Sequence, residues 1–301
     1  MITVKNVTKT FGSFTALKNV SATIADGGIY GMVGENGAGK STFLRLLAGV
    51  YRPTSGEISF DGAPVYENPA VKQKIVFLGD TLYFLPQATM KKMADFYKAV
   101  YPTFSAKRFS KLADTFSLDV KANINTFSKG MKRQAAAVLA LAAMPQILLL
   151  DETFDGLDPA ARGTLKQVLY DDVLSRGTTF LLTSHSLREL DDTCDRLALL
   201  HKGGLILESD IQDLKTSRFK VQVAYADTFD RSRFDGLDLL NYEQSGSVAS
   251  FLVRGDKDET IAKLRAFSPV LLDLLPLSLE EVFLYEMDAL GLSPDGKEKS
   301  V

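Results

Sequence analysis

Cysteine is nearly absent from this chain: Cys194 is the only one among 301 residues. A single thiol closes no internal disulfide, and at the end of an apparent helix it reads as a plain packed side chain. Histidine is scarce too, limited to His185 and His201. An excess of charge of one sign is also missing. The net charge is −2, so no global field argues for binding nucleic acid or an anionic membrane surface. No apolar run is long enough to span a bilayer. The nearest candidate, Ala135 to Leu150, is interrupted by Pro145-Gln146 and reads as helix, turn, strand. The opening residues Met1-Ile2-Thr3-Val4-Lys5 lack the charged-then-apolar plan of a signal peptide. The expectation is a soluble, cytoplasmic protein.

What is present is an ordinary globular mix, with 46% apolar and 24% charged residues. The length suits one large domain and a smaller one. The most informative stretch is Gly34-Glu35-Asn36-Gly37-Ala38-Gly39-Lys40-Ser41-Thr42. It satisfies G-x-x-x-x-G-K-[ST], a loop whose backbone N–H groups cup phosphates. Lys40 is placed for the β- and γ-phosphates, and the Ser41 hydroxyl for Mg²⁺. The apolar run 28–33 ahead of it suits a buried strand. Residues 41–48 behind it have helical periodicity, so a helix N-terminus points at the anion.

Residues 2–7 and 19–24 alternate as half-buried strands do. Between them, Phe11 and Phe14 are either ordinary core aromatics or a platform on which an adenine stacks. Phe11 is preferred because Gly12 follows it. Residues 50–60 give a turn and a strand, and Asp61-Gly62 is a hairpin signal. Lys74 to Leu78 is a further strand. From there to about residue 125 the pattern is helical and rich in aromatics: Tyr83, Phe84, Phe96, Tyr97, Tyr101, Phe104 and Phe109. Such a segment is either plain helical core or a surface for a partner.

Ile147-Leu148-Leu149-Leu150 is continuous enough to be a parallel strand buried on both faces, and it runs into Asp151-Glu152. Carboxylates at the C-terminal end of such a strand lie where open α/β sheets bind ligands. In a phosphate-loop protein Asp151 holds Mg²⁺ and Glu152 deprotonates the attacking water. The strand 178–183 ends at Ser184-His185, which places His185 for the γ-phosphate. His201 has no such setting.

Together these residues resemble the nucleotide-binding subunit of an ATP-binding-cassette (ABC) transporter over roughly residues 2–215. The phosphate loop reads GENGAGKST. The family signature, usually LSGGQ, appears as Phe127-Ser128-Lys129-Gly130-Met131. The strand-carboxylate motif is ILLLDE, the following loop is Asp155-Gly156-Leu157-Asp158, and the switch histidine is His185. The resemblance implies an α/β cassette with an N-terminal antiparallel β subdomain and a helical subdomain at about 81–135. It implies ATP and Mg²⁺ as ligands and a second cassette whose signature Ser128 and Gly130 meet the opposite γ-phosphate. It also implies membrane-embedded permease subunits docking on 81–125, with the chain peripheral on the inner face of the membrane. In the signature only Ser128 and Gly130 keep the commonest residues, and two positions outside it also depart from the family. Asp80 stands where a glutamine normally touches Mg²⁺, and is assigned here as a metal ligand. Asp155 stands where serine or alanine is usual.

Residues 203–215 close the cassette, and 216–301 read as a small α+β accessory domain with a frayed polar end at 290–301. Strands are expected at 219–226, 248–254 and 270–275, with helices at 258–267 and after the capping box Ser278-Leu279-Glu280-Glu281. The LSLEEVFL run resembles the end of drug, antibiotic or lipid exporter subunits. The leading expectation is therefore the ATPase of an exporter. The alternatives are a soluble ABC protein acting on ribosomes or nucleic acid, which the absence of a basic patch disfavours, and a degenerate regulatory subunit, which the intact Lys40, Asp151, Glu152 and His185 disfavour.

Overall fold

The structure is a computed structural model that describes residues 1–216, 218–275 and 277–289. The elements run β1 (Ile2–Phe11), β2 (Phe14–Ile24), β3 (Ile29–Val33), α1 (Lys40–Leu47), β4 (Ser55–Phe60), β5 (Ala63–Pro64), α2 (Pro69–Lys72) and β6 (Ile75–Leu78). They continue through α3 (Met90–Val100), α4 (Ala106–Thr115), α5 (Lys129–Ala142), β7 (Ile147–Asp151), α6 (Pro159–Arg176), β8 (Thr179–Ser184), α7 (Leu187–Asp191), β9 (Arg196–His201) and β10 (Gly204–Asp210). The remaining elements are α8 (Ile211–Thr216), β11 (Arg218–Ala224), β12 (Asp238–Ser245), β13 (Val248–Arg254), α9 (Lys257–Ala266), β14 (Leu271–Leu275) and α10 (Leu279–Ala289). Contacts divide the chain into two units, Met1–Glu208 and a second beginning at Ser209.

In the first unit a six-stranded sheet has the order β10-β9-β3-β8-β7-β6, and β9, β3, β8, β7 and β6 are parallel neighbours. Every residue of β3, β7 and β8 is buried. This is why these strands read as continuous apolar runs rather than alternating ones. Parallel strands bring their C-terminal ends to one edge, where the phosphate loop leaves β3, Asp151 ends β7 and His185 follows β8. A second, antiparallel sheet has the order β2-β1-β4-β5. A core including Val7, Leu17, Phe43, Leu44, Leu47 and Leu149 joins the two sheets around α1. Burying a side chain such as Phe43 contributes about 1.5–3 kcal/mol.

β1 and β2 are longer than the alternation suggested. They extend to a two-residue turn at Gly12-Ser13, and register shifts within the pair break the strict period. The hairpin at Asp61-Gly62 is present, with both residues at positive φ as a primed turn requires. In the helical region only Met90–Val100 and Ala106–Thr115 are α-helix before α5. Tyr83 and Phe84 precede the first helix in irregular chain. α5 packs against β6, α3 and α4 and buries Ala135, Ala136, Ala137, Ala140 and Ala142, small residues that permit a close approach. Arg108 of α4 reaches the buried Asp172 of α6 at 2.5 Å, and Arg176 meets the same carboxylate at 3.2 Å.

The second unit holds an antiparallel sheet of order β12-β13-β11-β14 over a core that includes Phe219, Val221, Phe234 and Phe251. It begins earlier than the expected boundary at 215/216, because α8 packs on β11 and α10 and buries Ile211 and Leu214. The capping box forms. The Ser278 N–H donates to Glu281 Oε2 at 3.0 Å, and the Glu281 N–H donates to Ser278 Oγ at 3.3 Å. β12 is an additional strand, and the expected polar end at 290–301 lies outside the described residues.

Candidate active site

The chain leaves β3 at Val33, turns through residues 34–39 and enters α1 at Lys40. Gly39 is the N-cap of α1, with a φ of 109° that an L side chain rarely adopts. Gly34 is required by proximity, since a Cβ there would lie 2.3 Å from the Leu200 carbonyl oxygen. The Lys40 ammonium is buried and donates to the carbonyl oxygens of Gly34 at 2.6 Å and Glu35 at 3.3 Å. The loop thus holds its cation in place before any phosphate arrives.

Asp151, fully buried at the end of β7, accepts on one oxygen from Ser41 Oγ at 3.1 Å and Thr183 Oγ1 at 2.7 Å. Its other oxygen, Oδ2, is buried without a hydrogen-bond partner. An orphaned carboxylate oxygen in the interior is costly. A hydroxyl and a carboxylate beside a phosphate loop form the hard oxygen set Mg²⁺ prefers. The residues fit the metal.

Glu152 follows with a left-handed φ of 49°. Its N–H donates to Thr183 at both the carbonyl oxygen (3.2 Å) and Oγ1 (3.1 Å), which holds the backbone in that conformation. Its carboxylate lies between two groups, with Oε1 3.7 Å from Lys40 Nζ and Oε2 3.0 Å from His185 Nδ1. Lys40 at the start of α1, Glu152 after β7 and His185 after β8 therefore meet at one point. Thr183 is a positioning residue that the sequence reading did not single out. Its only signal was register, since Asp151 and Thr183 are direct partners across β7 and β8.

A cavity of about 320 Å³ opens here, lined by Phe14, Ala16, Glu35, Asn36, Gly37, Gly39, Lys40, Ser41, Thr42, Asp80 and Glu152. Ala38 is buried behind it. The aromatic on the wall is Phe14, whereas Phe11, the one preferred from the sequence, does not line the cavity. The two are cross-strand partners at the tip of the hairpin. β1, however, is the inner strand next to β4, and the Phe11 ring packs edge-on to Tyr51 at 5.3 Å with Lys9 Nζ above it at 4.9 Å. β2 is the strand beside the phosphate loop, with the Ala16 carbonyl against Gly39.

Asp80 does reach the cavity, but its carboxylate is already bound by Arg133 at 2.6 Å. That ion pair competes with the role of magnesium ligand. Ser128 and Gly130 are not part of the cavity. Ser128 caps α5, its Oγ accepting from the Met131 N–H at 3.2 Å. A Cβ on Gly130 would sit 2.8 Å from the Gly156 carbonyl oxygen, so the start of α5 lies directly against the loop after Glu152. His201 is buried in β9 and takes no part.

The family model described as ABC transporter matches residues 17–155. An ABC transporter ATP-binding protein of Bacillus subtilis, YtrB, is 33% identical over 284 residues, covering 94% of this chain and 97% of that protein. The chain belongs to the ABC transporter family. Among other relatives of this ATP-binding cassette, the Nod factor export ATP-binding protein I of Rhizobium meliloti is 31% identical over 94% of this chain and 87% of its own length. The bacitracin transport ATP-binding protein of Bacillus licheniformis is 28% identical over 71% of each. A dimeric cassette in a post-hydrolysis state bound to ADP and Pi matches with a TM-score of 0.64 and 25% identity, over 70% of this chain and 99% of that one. The cassette is thus an ATPase subunit that binds ATP with Mg²⁺, of a kind that dimerises and works with a membrane permease. No helix among the described residues is long and apolar enough to cross a membrane.

Proposed function

We propose that this cassette powers a separate permease that exports a drug, a peptide antibiotic or a lipid-like molecule, and that it does so from the cytoplasmic face of the membrane. The similarity to the Nod factor export and bacitracin transport ATP-binding proteins supports export. The observation that carries the catalytic part is Glu152 held between Lys40 and His185 on the cavity that also contains Ser41.

The phosphate loop and Lys40 bind the triphosphate, and Phe14 is the platform for the base. Ser41 and Asp151 would hold Mg²⁺, which would draw off charge developing on the phosphates. Asp80, engaged by Arg133, is not counted in that set. Glu152 accepts a proton from the attacking water, and His185 orients Glu152 and contacts the γ-phosphate. Ser128 and the backbone at Gly130 complete the pocket of a second cassette, as a helix N-terminus suits an anion. Tyr83, Leu85, Phe96 and Val100 are exposed apolar side chains in the helical subdomain and form the docking surface for the permease.

The test is co-expression with candidate polytopic membrane proteins from the same genome. A purified complex that hydrolyses MgATP, and loses that activity in Glu152→Gln, is expected. Failure to co-purify, with the free chain equally active, would refute the assignment to transport.

A further inference from the structure

Two of the departures from the family, Asp80 and Asp155, each add a carboxylate, and Asp80 lines the cavity read as the polyphosphate site. Each is met by a cation from one face of α5. Arg133 Nη2 lies 2.6 Å from Asp80 Oδ1 and 3.7 Å from Asp155 Oδ2, and Lys129 Nζ lies 2.9 Å from Asp155 Oδ2. Lys129 and Arg133 are spaced i, i+4 and share that face. Burial differs sharply within the first pair, since the Arg133 side chain is 5% exposed and that of Asp80 is 56% exposed. The guanidinium is fixed in the fold, while the carboxylate stands at the mouth of the cavity with Lys40, Ser41 and Glu152.

We propose that Arg133 is a positioning residue of the ATP site: it holds and neutralises the Asp80 carboxylate, so that a cavity lined by an extra acid still accepts the triphosphate. This rests on the reading of the cavity as the nucleotide site. Arg133 also belongs to the helix that Ser128 caps.

The experiment measures equilibrium MgATP binding to the full chain by calorimetry, with ATPase kinetics alongside, for wild type, Arg133→Gln, Asp80→Asn and the double variant. Arg133→Gln should weaken binding by at least about tenfold, the effect of an unscreened like charge beside the phosphates, and raise KM more than it lowers kcat. Adding Asp80→Asn should cancel that loss, leaving the double variant within about threefold of Asp80→Asn alone. Wild-type affinity in Arg133→Gln overturns the proposal. So does a loss that persists in the double variant, because the arginine would then act other than through Asp80. If Arg133→Gln does not fold, Arg133→Lys keeps the charge but not the planar fork. Its smaller loss must likewise vanish with Asp80→Asn, and an uncancelled loss refutes the idea. Lys40→Ala is the separate control: normal MgATP affinity there would remove the cavity from nucleotide binding, whatever Arg133 does.

Discussion

Glu152 and Lys40 are 3.7 Å apart but do different work. In Glu152→Gln the amide can still hydrogen-bond but cannot take a proton. MgATP binding should survive and steady-state hydrolysis should fall at least about tenfold. Unchanged turnover would remove Glu152 from the base role. Lys40→Ala should abolish nucleotide binding in calorimetry. Cys194 offers a test of the interior: burial pushes its thiol well above the usual range, and its sulfur sits where a Cβ on Gly31 would lie 2.8 Å away. It should resist iodoacetamide in the native protein and react fully once unfolded, while rapid native labelling would contradict the packing. The phosphate loop, Asp151, Glu152 and His185 were legible in the sequence because each sits at the end of a short apolar run. Thr183, Arg133 and the choice of Phe14 over Phe11 were not. Each depends on which strand or helix lies alongside, and spacing along one chain does not encode that.

At the scale of elements, the buried parallel strands announced themselves through continuous apolar residues, and the capping box marked α10. The lengths of β1 and β2 were hidden by irregular register, and β12 by its polar residues Asn241, Glu243, Gln244 and Ser245, which the sheet pairs with β13 regardless. The tie between α4 and α6 was equally invisible, as Arg108 and Asp172 are far apart in sequence. Arg108→Ala leaves the buried Asp172 with Arg176 alone. It should destabilise the cassette by about 2 kcal/mol, read as a lower urea midpoint. A shift within error would show that Arg176 satisfies Asp172 by itself.

For the whole molecule, the division at Glu208 separates the unit that holds the phosphate loop from a second unit with its own core. Ser128 and Gly130 lie outside the cavity of their own chain, as the two-cassette reading proposed above requires. Glu152→Gln with MgATP should therefore run at dimer mass in light scattering, while nucleotide-free protein runs as a monomer. Persistent monomer would point to an obligate, different second cassette. Glu152 has one further consequence, which follows from its backbone rather than its carboxylate. Its left-handed φ of 49° is a conformation glycine adopts freely and glutamate resists, by up to about 1 kcal/mol. Glu152→Gly should then melt at a higher temperature than the wild type while being catalytically dead, and Glu152→Gln should not share the gain. On that expectation, toughness and turnover are set against each other at a single residue.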